Sequence, residues 1–299
     1  MLHRAPGGAR RRPHLDPAAA SPQILIPRRS MAAPARVGGL DPDARFKAAL
    51  TAPAPAAASE AQRELLLELA TAPVKGIGRI PYASNAVFVL ELDAAAPGGE
   101  GRLHAVYKPA RGERRLWDFP QHTLHFRETA TYEVDLALGF GLVPPTVLRE
   151  GPHGPGSVQL FVEVAGRTSS AVRQGLGAQI LALAAVDVLV NNADRKRAHL
   201  LVDTRGRLMG IDHGLTFLPY PRQRTVLAEL GGGLLPEELA TAVAGLQGDA
   251  PRRRELLARL RRLLAPVEVD AFAARLRELA ADPVYPELDP WDGRPWEWW

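Results

Sequence analysis

Two aspartates on either side of a short apolar stretch carry the chemistry that this sequence suggests. The segment Val188-Leu-Val-Asn-Asn-Ala-Asp-Arg-Lys-Arg-Ala-His-Leu-Leu-Val202 leads from an apolar helix into a polar loop and out along a strand. A turn at Asp203-Thr-Arg-Gly206 reverses it, and Gly210-Ile-Asp-His-Gly214 follows. The expected hairpin brings Asp194 and Asp212 to the same end. Such a pair suits phosphoryl transfer, in which positioning and charge neutralisation supply most of the catalysis: one carboxylate orients a hydroxyl nucleophile and the other holds a divalent metal against phosphates. Their order and spacing matter, because an isolated Asp-Arg or Asp-His-Gly is ordinary turn chemistry.

A basic residue and an acid are expected upstream. A glycine-containing hairpin formed by strands over 86–92 and 102–109 ends in Lys108, a point charge for phosphates. Backbone amides near Ser84 and Asn85 are placed to cradle the same groups. The apolar spacing of Ala130, Val134, Ala137 and Leu138 predicts a helix over 126–138. It carries Glu128 and Glu133 on different faces, so only one can reach Lys108. A second hairpin spans 143–163, with a hinge at Ala165-Gly166. A buried helix over 177–191 bears a single acid, Asp187, which needs a partner and reads as a brace for the loop after it. Helices are then expected over 222–230, 236–246, 251–264 and 267–280. The tryptophan-rich end, 291–299, is expected to pack back on the body. His213 reads as structural, Lys196 as a solvated loop charge, and Arg195 as orienting the loop or meeting a phosphate.

The chain of 299 residues has room for two lobes with a substantial core. It has no cysteine, which excludes thiolate metal sites and cysteine nucleophiles. The longest apolar run, Ile180 to Val190, is too short for a membrane span and is broken by Asp187. A cytoplasmic protein is expected. The net charge of +4 conceals an asymmetry: residues 1–40 hold seven arginines against Asp16, and the remainder is net negative. A nucleic-acid-binding domain is therefore not implied. Residues 1–58, rich in Ala, Pro and Arg without sustained periodicity, read as disordered; 59–163 read as a β-rich lobe and 164–299 as a mainly helical one.

The quoted motifs, with Tyr107-Lys-Pro109, Arg127-Glu-Thr-Ala-Thr-Tyr-Glu-Val-Asp135 and Val143-Pro-Pro-Thr146, resemble the phosphatidylinositol 3-/4-kinase-like branch of atypical kinases, which includes HipA-type and secretory-pathway kinases. The chain looks most like an actinobacterial family within it, over roughly residues 74–290. The resemblance implies an α+β, two-lobed kinase-like fold. It also implies ATP with Mg²⁺ or Mn²⁺, and a hydroxyl acceptor that is a protein, a lipid head group or a small molecule. Lys108 would bind phosphates, with Glu128 as its partner. Asp194 would be the catalytic-loop acid that accepts the proton of the attacking hydroxyl, with Arg195 beside it, and Asp212 the principal metal ligand. Gln159 to Glu163, including Phe161, would meet adenine through the backbone. His199 stands where the branch usually has an asparagine as second metal ligand. Either Mn²⁺ is used, or Asn191 or Asn192 substitutes, or a second metal is absent. Nucleotidyl transfer on the same fold and a nucleotide-binding pseudokinase are the alternatives.

Overall fold

The computed structural model describes residues 41–295 apart from 82, 84, 100 and 165–175. Arg36–Trp299 form one compact unit, and the other, Met1–Ala35, lies outside the described residues. The fold is α+β. Five antiparallel strands, β1 (Val74–Arg79), β2 (Phe88–Ala95), β3 (Arg102–Pro109), β4 (Thr146–Gly151) and β5 (Gly154–Leu160), form one sheet in the order β1-β2-β3-β5-β4. Alternation sets the register: in β3, Leu103, Ala105 and Tyr107 are fully buried and face Leu90 and Leu92 of β2 in one core.

Helix α2 (Glu60–Thr71) covers that core with Leu69, and its start is fixed by the sequence. Ser59 accepts from the Gln62 amide while the Gln62 side chain accepts from Ser59, a reciprocal capping box. Helix α3 (Leu124–Leu138) follows β3 through a loop and ends at Gly139, whose φ of 77° is the left-handed cap that glycine adopts without a Cβ clash. Every residue of α3 is buried, charged ones included.

From Gly177 the chain is mainly helical: α4 (Gly177–Val190), α5 (Glu237–Gly248), α6 (Ala250–Leu263) and α7 (Pro266–Ala281). Leu189, Val243, Leu260 and Phe272 form a core there with Phe126, Ala130 and Val134 of α3. Between α4 and α5 lies the expected hairpin, β6 (Leu200–Val202) and β7 (Leu208–Gly210).

Three expectations need correction. Residues 42–50, placed in a disordered segment, form a helix, α1 (Pro42–Leu50), started by proline in its first turn. Its Phe46 enters the helical core and its Arg45 donates to the Leu263 carbonyl at 3.4 Å, so tertiary contacts supply what its weak pattern does not. Residues 222–230 are not a helix beyond a single 3₁₀ turn at Ala228–Leu230. The backbone of 224–226 is engaged instead with Asn192 and Arg195. At the C-terminal end Asp292 and Gly293 do pack back, on Arg224 and Thr225, but Trp291 is 91% exposed, and Trp296, Trp298 and Trp299 lie outside the described residues. The proposed hinge at 165–166, Ser84 and the remaining N-terminal expectations for residues 1–40 also lie outside them.

A chain that starts at Ser59 should therefore melt several degrees below one that starts at Arg36 in calorimetry. Phe46→Ala alone should cost about 3 kcal/mol in urea unfolding, because it leaves a void in the helical core.

Candidate active site

The polar loop after α4 is built around a buried ion pair. Asp187, one turn from the helix end, has no exposed surface and accepts from Arg195 Nε and Nη2 at 2.8 and 2.9 Å. The guanidinium is equally buried and also donates to the Ile211 carbonyl at 2.9 Å and to His213 Nε2 at 2.6 Å. Arg195 thus ties the loop carrying Asp194 to the segment carrying Asp212. Asn192 completes the brace: its amide nitrogen donates to Asp187 at 2.8 Å and its oxygen accepts from the Asp194 N–H at 3.0 Å. Asn191 caps α4 with φ 52° and binds the carbonyls of Leu218 and Tyr220 and the amide of Arg222. Asp187 therefore braces the loop, as expected. Arg195 is wholly buried within this scaffold, and the side-chain oxygen of each asparagine accepts a backbone N–H.

A second cluster joins Lys108, Glu128, Asp212 and His199, with Asp212 exposed, Lys108 partly so, and Glu128 and His199 buried. Lys108 donates to Glu128 and, at 2.8 Å, to Asp212 Oδ1. The second Glu128 oxygen accepts from the His213 N–H at 2.9 Å. Gly214 lets this segment approach α3: a Cβ there would stand 3.4 Å from Glu128 Oε1 and 3.3 Å from Leu124 Cβ. Asp212 has φ 61°, a left-handed conformation uncommon outside glycine, and its side chain is about half exposed. Glu133, the other candidate for Lys108, is held by Arg259 at 2.5 and 2.6 Å on a different face.

The electrostatics separate the carboxylates. Lys108, with His199 adding to it, holds the Asp212 carboxyl far below its ordinary range. Burial disfavours the Lys108 ammonium, but Asp212 and Glu128 outweigh it and raise its pKa. Burial pushes Glu128 up against the opposing charge of Lys108. Asp194 is also raised, chiefly by burial, although Lys196 Nζ donates to its Oδ2 at 2.8 Å. Lys196 is thus no free loop charge, and the Asp-x-Lys spacing was the signal for it. His213 is buried and neutral, its pKa lowered first by burial and then by Arg195.

His199 has a defined role. Burial lowers its pKa to about 4, so it is neutral at ordinary pH. The Lys196 N–H points at Nδ1 at 3.4 Å, which places the proton of the neutral ring on Nε2, 3.2 Å from Asp212 Oδ2. His199 is therefore a donor that orients Asp212. Among the described residues no group of three or more His, Asp or Glu side chains is arranged to hold a metal. Asp212, half exposed and anionic, still fits a hard cation whose other ligands are phosphate oxygens and water.

The outer predicted contacts are less direct. Asn85 accepts from the Arg114 N–H at 2.9 Å and so clasps the loop after β3. The Gln159 side chain is buried in the sheet on Thr146 at 2.9 Å. The Phe161 amide is engaged by the His104 carbonyl at 3.0 Å, while its ring is 39% exposed. Sequence reading missed the lacing of the two loops: Arg224 N–H donates to Asn192 O, Arg195 N–H to Arg224 O and Val226 N–H to Arg195 O. Asp292 in turn binds Arg224 at 2.9 Å. No helix among the described residues is long and apolar enough to cross a membrane.

An α+β protein with a lysine and carboxylates gathered between a sheet strand, a buried helix and a braced loop is the class defined so far. No family model matches the chain. It is 35% identical over 269 residues to Protein Rv2133c of Mycobacterium tuberculosis, covering 77% of this chain and 93% of that protein. The chain belongs to the family of that mycobacterial protein. Among solved structures it is similar to the Golgi casein kinase with Mn/ADP bound, at TM-score 0.48, 17% identity and coverage of 81% of this chain and 80% of that one. It is also similar to hydra Fam20 with sugar, at TM-score 0.46, 12% identity and coverage of 82% and 94%. The Helicobacter pylori proinflammatory kinase CtkA gives TM-score 0.45, 10% identity and coverage of 73% and 94%.

Removing the acid of the brace should be severe. Asp187→Ala strands a buried guanidinium and should cost about 3–5 kcal/mol in urea unfolding. For His199 the folded pKa of about 4 lies below the 6.5 of an unperturbed ring. The unfolded chain binds the extra proton between these values, so the His199 contribution is constant above pH 6.5 and destabilises as pH falls towards 4. Nuclear magnetic resonance of the metal-free protein should show this ring titrating near pH 4, and His199→Gln should flatten the acid-side fall by about 1.4 kcal/mol per pH unit within that window.

Proposed function

We propose that this protein is an atypical kinase, an ATP- and metal-dependent phosphotransferase with a two-lobed kinase-like arrangement. The observation that carries the reading is the convergence on one ammonium, Lys108 of β3, of Glu128 from α3 and Asp212 from the loop after β7. A structural ion pair needs one acid. A second, half-exposed acid kept strongly anionic is a charge held ready for a cation.

In this reading Glu128 positions Lys108 so that its third proton faces nucleotide phosphates. Asp212 would hold Mg²⁺ or Mn²⁺, oriented by the proton of His199, and the ion would neutralise charge between the phosphates. The acceptor hydroxyl oxygen forms a bond to the terminal phosphorus as the bond to the leaving ADP oxygen breaks, and Asp194 takes the hydroxyl proton. A carboxyl raised by burial is a stronger base than a solvated one, and Lys196 balances the charge of its anion. The reading leaves the hydroxyl acceptor open. In the same reading backbone amides near Asn85 would face the phosphates, and Gln159 to Glu163 would meet adenine through the backbone. The phosphatidylinositol 3-/4-kinase-like resemblance supports the residue roles and says nothing about lipid.

One observation favours a second reading. With the asparagines engaged and His199 set as a donor, Asp212 is the carboxylate left for metal, which suits a nucleotide-binding regulatory protein with little turnover. AMP transfer would use the same Lys108 and Asp212.

The test is the full chain with Mn²⁺ or Mg²⁺ and ATP labelled separately at the α- and γ-phosphate. Transfer or release of γ-label should fall about 100-fold or more in Asp194→Asn and in Asp212→Asn. Incorporation of α-label would move the protein to AMP transfer. Nucleotide-dependent thermal stabilisation with neither label transferred would favour the regulatory reading, and absence of both would sink all three.

A further inference from the structure

The tryptophans of the chain belong to two stretches: Trp117 lies in the loop between β3 and α3, and Trp291, Trp296, Trp298 and Trp299 lie at the C-terminal end. The fold joins these stretches through one guanidinium. Arg222 lies over the Trp117 ring at 5.3 Å, stands 3.7 Å from Asp118 and reaches the carboxylate of Asp292, the neighbour of Trp291, at 3.4 Å. Both described rings protrude, Trp117 at 67% exposure and Trp291 at 91%, and neither lines the cavities beside it. The other three lie outside the described residues. Acids next to the tryptophans are paired or hydrogen-bonded: Asp118 and Asp292 with Arg222, Asp292 also with Arg224, Glu113 with His125, and Asp289 with the amides of Trp291 and Asp292. The arginines are not so engaged. Arg111, Arg114 and Arg115 of the same loop, and Arg294 after Trp291, are exposed, and their side chains make no hydrogen bond or ion pair among the described residues.

We infer that this face docks on an anionic lipid surface, with Trp117 and Trp291 seated among the head groups and the unpaired arginines on their phosphates. A tryptophan ring has an apolar body and a single N–H donor, so it favours the boundary between hydrocarbon and water over either side. Arginine beside it adds an attraction to lipid phosphates that weakens with salt. A protein partner would need a pocket for each protruding ring, whereas a head-group layer accepts rings at any spacing. The attachment is peripheral and reversible, because a few rings and charges fall far short of a spanning helix.

The face is joined to the candidate site on both sides. Its loop leaves β3 directly after Lys108 and Pro109, and the backbone of Arg224 is laced to Asn192 and Arg195 of the loop that carries Asp194. Docking therefore holds the candidate site near the lipid. This consequence rests on the phosphotransferase reading; the docking itself does not.

The experiment mixes the full chain, without nucleotide, with vesicles of phosphatidylcholine alone and of phosphatidylcholine with phosphatidylglycerol. It follows co-sedimentation and the quenching of tryptophan emission by lipids brominated on the acyl chain near the head group. Residues 1–40 hold seven arginines and no tryptophan, so quenching reports the tryptophan face and not that segment. Saturable binding with quenching is expected on the anionic vesicles, about tenfold or more weaker on phosphatidylcholine alone, and weaker again as salt rises. Trp117→Ala, and Arg114→Gln combined with Arg115→Gln, should each weaken it about fivefold or more. Both variants should melt near the parent, because Trp117 is exposed and neither arginine has a partner, and this separates lost binding from lost folding. The inference is overturned if anionic vesicles carry the protein down with its emission unquenched, which would assign the binding to the arginine-rich N-terminal segment. It is equally overturned if both variants bind like the parent, or if neither vesicle binds, which would leave an acidic protein as the partner. None of these outcomes depends on whether phosphate is ever transferred.

Discussion

Burying a charged helix is the constraint on which the molecule depends. Arg127, Glu128, Glu133 and Asp135 of α3 are all nearly without exposed surface, and a buried charge must be paired or hydrogen-bonded to persist. Each finds its partner in a different part of the chain. Arg127 meets Glu268 of α7 and the Thr216 carbonyl, Glu128 meets Lys108 of β3, Glu133 meets Arg259 of α6, and Asp135 accepts the amides of Leu142 and Val143. The helix is thereby a junction: sheet, helical core and the loop after β7 are located relative to one another by side chains that cannot be left unpaired.

A second junction, Asp187 with Arg195, serves the other half of the site. It differs from the first in having no exposed atoms and no group to offer a ligand. Its work is done through the backbone, because Arg195 reaches the carbonyl of Ile211 and the ring of His213 while its own amide is laced to Arg224. The segments that carry Asp194 and Asp212 are consequently fixed from behind. Asp212 keeps a left-handed backbone that only such over-determination would sustain.

Between these two knots, acids of the same type acquire opposite character. Asp212 sits on the Lys108 ammonium and stays ionised, whereas Asp194 is raised by burial despite Lys196. Two carboxyls of one residue type thus differ in their affinity for a proton, and the difference comes from placement alone. His199, neutral because it is buried, adds a proton donor to Asp212 without adding charge.

Much of this was legible along the chain. The apolar spacing of Ala130, Val134, Ala137 and Leu138 marked α3, and the single acid in an apolar helix marked Asp187 as a residue needing a partner. Spacing left Glu128 and Glu133 open as partners of Lys108, and the family resemblance chose Glu128 and set Asp212 with them; the three do meet. What sequence left undecided was whom each charge would face. Arg195 and Lys196 are neighbours of like type, yet one is sealed in the core and the other lies on Asp194; residues 222–226 have helical composition but follow another strand of loop; α1 has little pattern and is held by Phe46. Local sequence sets backbone preference and the face that must be buried, because those energies are short-range and periodic. The pairing of buried charges is decided only when distant segments close on each other, since desolvation and Coulomb attraction depend on who arrives and not on where in the chain they began.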